Sequence, residues 1–213
     1  CFWKKINIKI IDNFLNKEYF DKISKLRLKE TGKKEIKVYH NSIFDKEVIN
    51  SECIEPSFLV ELNQKYHSIA ISLLKELNKD KVELYDYSEF HIIETGSECS
   101  FPIHDDTPNK LLSGVIYLNP KENSGTHFYD SKQGKDKRTI SWKQNRAVFF
   151  SRIEKETWHS YCGDGKNNRV ALVYNLMTNR IKKVFKVEKK LFLLGYFRYK
   201  INPILYRFFK ITI

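Results

Sequence analysis

The run Phe101-Pro102-Ile103-His104-Asp105-Asp106-Thr107-Pro108 sets an imidazole and a carboxylate two residues apart. In extended backbone, side chains at i and i+2 share a face, so His104 and Asp106 would converge while Asp105 points away. One histidine and one carboxylate on a face supply two ligands of the 2-His-1-carboxylate triad that holds non-haem Fe(II). The third ligand has to come from elsewhere. His159, in Thr157-Trp158-His159-Ser160, follows the strand-like run Ala147-Val148-Phe149-Phe150 and could be carried beside 104–106 in a rolled sheet. A His-x-Asp pair is common by chance, so the pair alone does not assign a metal. Of the other histidines, His67 falls within a long helical pattern, His40 in a polar stretch and His91 in a strand-like run. Surface or core roles suit those three better.

These residues need a scaffold, and the hydrophobic periodicity describes one. Ile6, Ile8 and Ile10 alternate with polar residues, the period of a half-buried strand. Asn16 can cap a helix beginning at Lys17, with Phe20, Ile23 and Leu26 at helical spacing. Residues 30–37 are charged and read as a loop. Pro56 suits a first helical turn, and Phe58, Leu62, Tyr66, Ile69, Leu73 and Leu77 then recur every three or four residues as a buried stripe. After residue 82 the period changes. Segments 86–94, 114–119, 147–151 and 169–175 are short and rich in aromatic or β-branched residues. Turn-forming stretches at 120–125, 131–134 and 163–168 separate them. Helices followed by short strands predict an α+β chain whose second half is an antiparallel sandwich or barrel.

Composition narrows the classes. The chain has 213 residues, 41% hydrophobic and 30% charged, which fits one ordinary globular domain and excludes global disorder. No apolar run approaches the length that spans a bilayer, and the first residues, Cys1-Phe2-Trp3-Lys4-Lys5, lack the apolar core of a signal peptide. Cys1, Cys53, Cys99 and Cys162 form no CxxC pair, so they read as free thiols in a reducing compartment, pointing to the cytoplasm. The net charge of +12 is uneven: residues 181–213 hold nine basic residues against Glu188 alone, a balance of +8, which leaves +4 for the other 180 residues. The anionic partner that such an excess suggests is therefore a question about the tail.

His104-x-Asp106, then His159, then Arg169 ten residues later, resembles the iron(II)/2-oxoglutarate-dependent oxygenases, most closely their prolyl 4-hydroxylase-like branch. Further pieces follow in the same order. Ile10-Ile11-Asp12-Asn13-Phe14-Leu15 precedes a helix, Tyr117-Leu118-Asn119 follows the first ligands, Gly125-Thr126-His127-Phe128 sits where that branch often has a glycine turn, and Ala147-Val148-Phe149-Phe150 precedes the distal histidine. The resemblance covers about residues 6–177.

The resemblance implies a double-stranded β-helix, or jelly-roll, core with N-terminal buttressing helices, an α+β oxygenase domain over 1–180, to which the charge and periodicity of 181–213 add a basic amphipathic C-terminal helical extension. It implies that His104, Asp106 and His159 hold Fe(II), and that Arg169 binds the distal carboxylate of 2-oxoglutarate with a hydrogen bond from Tyr117. It implies O2 as the second cosubstrate and hydroxylation of an unactivated C–H, with release of succinate and CO2. The substrate class stays open among peptidyl proline, amino acids, and sugar or lipid precursors. Ile93 and Ala171 stand where relatives carry Tyr and Ser, leaving Arg169 and Tyr117 to hold the distal carboxylate largely alone. Asp106 is present, unlike in related halogenases, so hydroxylation is the expected outcome.

Around this set, His127 is a candidate for facing the substrate, and Trp158 is a packing residue first and a substrate platform second. Asp105 reads as a surface or ligand-orienting group, and 130–145 as an exposed hairpin loop or a lid. In the tail, Val184, Val187, Leu191, Leu194, Ile201, Leu205 and Phe208 recur at helical steps among Lys and Arg, with Pro203 expected to break or kink the run into two pieces. A helix pair packed on the body or on a second copy, its basic face solvated, is preferred over an anionic membrane surface. A nucleic-acid partner is disfavoured by the aliphatic content. The contrasting function is a catalytically inactive jelly-roll binding module docked through its basic tail.

Overall fold

The computed structural model describes residues 7–209, except the side chains of residues 206, 207 and 209. Twelve strands, four α-helices and a short 3-10 helix (Lys79–Leu84) are present among them. In chain order they are β1 (Ile8–Ile11), α1 (Lys17–Ser24), β2 (Ile36–Tyr39), β3 (Asn41–Phe44), β4 (Glu47–Ser51), α2 (Pro56–Asn78), β5 (Tyr87–Thr95), β6 (Ser100–His104), β7 (Lys110–Asn119), β8 (Thr126–Tyr129), β9 (Arg138–Ile140), β10 (Ala147–Phe150), β11 (Trp158–Cys162), β12 (Arg169–Met177), α3 (Ile181–Val187) and α4 (Phe192–Phe209). The strands form two antiparallel sheets. The large one runs β1-β10-β7-β12-β5-β3-β4 with β2 also on β5, and the small one runs β6-β11-β8-β9. This is the double-stranded β-helix, with both terminal helical regions outside it.

Strand periodicity divides the two cores. In β10, Ala147 and Phe149 join the cluster under the helices, while Val148 and Phe150 face the small sheet. In β12, Leu172, Tyr174 and Leu176 pack toward α2, leaving Arg169, Ala171, Val173 and Asn175 on the inner wall. Helix α2 has Pro56 in its first turn, and Phe58, Leu62, Tyr66 and Leu73 are buried as the spacing predicts. The stripe departs at Ile69, which is exposed, because the adjacent Ala70 takes the inward position. Each fully buried Leu in this face contributes roughly 1.5–3 kcal/mol. Asn16 caps α1, its side chain accepting from the Tyr19 N–H.

Several expectations are corrected. The charged segment is a loop only to residue 35, since Ile36 opens β2, and three strands, β2 to β4, lie between α1 and α2 where no strand was expected. Ile10 is exposed and Ile11 joins the core, so β1 does not hold a simple alternation. Residues 126–128 are strand β8 and not a turn.

The tail departs furthest. Helix α4 runs through Pro203 without a break. The interruption lies at 188–191, where Lys189 adopts φ 55° and the Lys190 N–H reaches the Phe185 carbonyl at 2.9 Å, a Schellman closure of α3. Helix α3 buries Val184 and Phe185. Helix α4 crosses closely at Gly195, where a Cβ would collide with the Phe185 ring. The body also claims Glu188, whose side chain is fully buried between Lys81 and Arg152 at 2.7 Å each. The solvated basic face of the expected helix pair is only part of its surface: Arg198 points inward, and Leu193, Leu194 and Phe197 point out.

Candidate functional site

His104 ends β6 and stands directly opposite His159 in β11, with the imidazole centroids 4.2 Å apart. Asp106 lies two residues beyond the end of β6. One ligand atom from each of His104, Asp106 and His159 falls within 4.8 Å of the others. Both imidazoles are oriented by main chain. His104 Nδ1 lies 2.9 Å from the Pro102 carbonyl, and His159 Nδ1 lies 3.0 Å from the Thr157 carbonyl. Donation of each Nδ1–H to its carbonyl leaves both Nε2 lone pairs free, the tautomer a metal requires. Burial, helped by His159, pushes His104 down to about 3, so its ring is neutral and ready to ligate at ordinary pH.

Asp106 is held from its other side. Lys110 Nζ donates to Oδ1 at 2.7 Å and Ser113 Oγ to Oδ2 at 2.5 Å. Burial would raise this carboxyl, but Lys110 and the two imidazoles hold it well below the usual carboxylate range. Asp105 does turn away from the cluster, as extended backbone requires, yet it is not on the surface. It is buried, accepting from the Lys155 N–H at 2.8 Å and pairing with Arg198 of α4.

A cavity of about 260 Å³ runs between the sheets, with His104, Asp106, His159 and Arg169 in its lining. Arg169 is buried, and its guanidinium is walled by aromatic faces: Tyr161 at 4.4 Å, Trp142 at 5.1 Å and Tyr117 at 5.9 Å. It has no ion pair among the described residues, and its Nη1 has no hydrogen-bond partner. Burial pushes its pKa down. A buried cation with an unmet donor is costly, and a carboxylate entering this cavity would relieve it. Ile93 and Ala171 line the same cavity, so the two departures from the resembling family fall on its wall and offer no hydroxyl there.

The remaining predicted residues sit elsewhere. The Tyr117 ring is fully buried and stacked on Trp142, and its hydroxyl donates to Thr126 Oγ1 at 2.8 Å. Thr126 therefore stands between it and the cavity. His127 points to the opposite side of β8, with Nδ1 3.0 Å from Thr139 Oγ1, and lines a separate cleft with Trp142. Trp158 is buried, with its Nε1–H on the Lys155 carbonyl and its ring beneath Arg198 at 5.6 Å. Residues 130–137 link β8 to β9 as a hairpin loop. Sequence reasoning missed Lys110, Ser113 and Asn175. Asn175 is fully buried on the cavity wall with Oδ1 unpartnered. The period-two sequence from Arg169 would have found it.

A second cavity, of about 190 Å³, meets the triad from the other side. His104 and Asp106 line it together with Phe101, Pro108 and, from α4, Arg198, Tyr199, Asn202 and Pro203. The triad thus lies between one cavity ending at a lone arginine and another walled by the C-terminal helix.

No family model matches the chain, and no curated protein is similar to it in sequence. Solved structures are. A prolyl-4-hydroxylase from Pseudomonas putida matches with a TM-score of 0.52 and 14% identity over 82% of this chain and 94% of that one. An oxidoreductase of the 2OG-Fe(II) oxygenase family from Burkholderia pseudomallei matches at 0.54 and 14%, over 80% and 84%. A Trichoplax adhaerens prolyl hydroxylase, solved with a peptide fragment of the hypoxia-inducible-factor oxygen degradation domain, matches at 0.54 and 14%, over 83% and 86%. The fold is that of 2-oxoglutarate–Fe(II) oxygenases.

Proposed function

We propose that this protein is an Fe(II)- and 2-oxoglutarate-dependent dioxygenase that hydroxylates an unactivated C–H bond, releasing succinate and CO2. The observation that carries this reading is the buried, unpaired Arg169 in the same cavity as the His104–Asp106–His159 cluster. A metal site alone would need no lone cation along the cavity, and a dicarboxylate site alone would need no imidazole pair beside a carboxylate.

In this reading His104 and His159 would present Nε2, and Asp106 one carboxylate oxygen, to the metal, which would activate O2 for the hydroxylation. Arg169 takes the distal carboxylate of 2-oxoglutarate through its planar fork. Tyr117 acts through Thr126, holding that hydroxyl toward the cavity. Tyr161, Trp142 and Tyr117 keep water from the arginine. Bound iron and cosubstrates supply the oxidising chemistry, and the chain supplies position, charge and dryness. The substrate enters by the second cavity, so α4 forms part of its wall. Peptidyl proline, as in the two hydroxylases of similar fold, an amino acid, and a sugar or lipid precursor all remain substrate classes for that cavity. The free thiols Cys53, Cys99 and Cys162 fit a reducing compartment, and we place the protein in the cytoplasm. No helix among the described residues is long and apolar enough to cross a membrane.

The test is succinate and CO2 release from 2-oxoglutarate with added Fe(II), in wild type and in His104→Ala and Asp106→Ala. Turnover lost in both variants supports the assignment, and full turnover in either overturns it.

A further inference from the structure

The outward side of α4 is apolar where a surface helix is ordinarily polar. Leu193, Leu194, Phe197 and Ile204 are 80%, 66%, 61% and 55% exposed. Leu191, in the bend before α4, is 73% exposed. Elsewhere the exposed large apolar residues are fewer and more dispersed: Ile10 on β1, Val38 on β2, Phe44 and Ile49 on the β3–β4 hairpin, and Ile69 on α2. A cluster of this kind marks a surface that something covers.

Charge indicates what covers it. Lys182, Lys183, Lys186 and Lys189 are exposed and have no acidic partner among the described residues. Glu188, the sole acid of residues 181–213, is buried between Lys81 and Arg152. The surface of this region therefore offers positive charge and apolar side chains with no acid of its own, and Glu156 of the body pairs with Lys190 at 2.6 Å. Lys182, Lys183 and Lys186 line one groove with Phe192 and Tyr196. A second copy docked by a two-fold contact would bring Lys182, Lys183, Lys186 and Lys189 of both copies together as like charges. Nucleic acid could stack on Phe192 and Tyr196, but it would leave Leu191, Leu193, Leu194 and Ile204 against a polar backbone.

We propose that α3 and α4 seat the protein on an anionic lipid surface. Leu193, Leu194, Phe197 and Ile204 enter the acyl boundary, and the lysines meet the headgroups. The inner side of α4 walls the second cavity, so docking sets that cavity beside the bilayer. The proposal does not depend on the reaction assigned to the site.

The experiment is co-sedimentation of the full chain with vesicles of phosphatidylcholine alone or with about 30% phosphatidylserine. Binding is expected to the anionic vesicles, at least about tenfold weaker to neutral ones, and reduced in roughly 0.5 M salt. Leu193→Asp with Phe197→Asp should weaken binding by about tenfold or more while keeping the thermal midpoint within a few degrees. Lys182→Glu with Lys183→Glu and Lys186→Glu provides an independent variant should the first not fold, with the same loss expected. No binding by wild type, equal binding to neutral vesicles, or full binding by a folded variant overturns the proposal. A concentration-dependent dimer abolished by Leu193→Asp, without vesicle binding, would assign the face to a second copy instead.

Discussion

Asp105, the residue between two of the triad side chains, is paired with Arg198, which lies 93 residues further along the chain in α4. The same guanidinium reaches Glu154 at 3.2 Å. The C-terminal helix is thereby tied to the loop that carries Asp106. Removing one partner of a buried pair leaves the others charged and uncompensated. Arg198→Ala should lower stability by roughly 3 kcal/mol, read from urea denaturation. It should also weaken Mn(II) binding, because the loop beside Asp106 loses its anchor. Unchanged stability and unchanged metal affinity would separate α4 from the site.

Lys110 bonds to the carboxylate that the metal would share. A fixed positive charge beside a dication opposes it, while Ser113 can still orient Asp106. Lys110→Met should therefore tighten Mn(II) binding by about threefold to tenfold in a calorimetric titration. Weaker binding would show that Lys110 chiefly positions the ligand.

Arg169 carries an unmatched buried charge. Arg169→Met should raise the thermal midpoint of the ligand-free protein, since an apolar side chain of similar reach removes that cost. The same variant should lose the stabilisation that 2-oxoglutarate and Mn(II) confer on wild type. A destabilised variant that still responds to 2-oxoglutarate would contradict this role.

Lys81 supplies a pH dependence. Its burial outweighs attraction by Glu188 and pushes its pKa down to about 8 from 10.5. The folded state then binds fewer protons than the unfolded state between those values, so this group's contribution to stability rises with pH across that window. Below pH 8 the cost of keeping Lys81 charged is fully present. Tyr174 opposes this above pH 10, since burial keeps its hydroxyl protonated in the fold. Lys81→Met removes only the lysine contribution. The stability of the variant relative to wild type should fall steadily from pH 8 to 10.5 in urea titrations, and a constant difference would refute the assignment.

Much of this site is written locally. His104-x-Asp106 needs only extended backbone, and His159 comes opposite His104 because its own strand, β11, pairs with β6. The inward face of α2 is readable because one stripe packs on one sheet. What was not readable depends on distant partners. Asp105 reads as a surface carboxylate until Arg198 is placed against it. Residues 36–51 are short and charged, yet β2 and β3 form by pairing with β5. The amphipathic period of the tail indicates two faces without indicating which is inward. Gly195 against Phe185, and Arg198 against Asp105 and Glu154, turn the less apolar face to the body.

The central claim is that one cavity holds a metal at His104, Asp106 and His159 and a dicarboxylate at Arg169. Calorimetric titration of 2-oxoglutarate into the protein with and without Mn(II) tests it most directly. The account predicts one 2-oxoglutarate per chain, metal-dependent, with binding lost in His159→Ala and weakened by about tenfold or more in Arg169→Met. Binding that ignores the metal, or that survives unchanged in both variants, would contradict it.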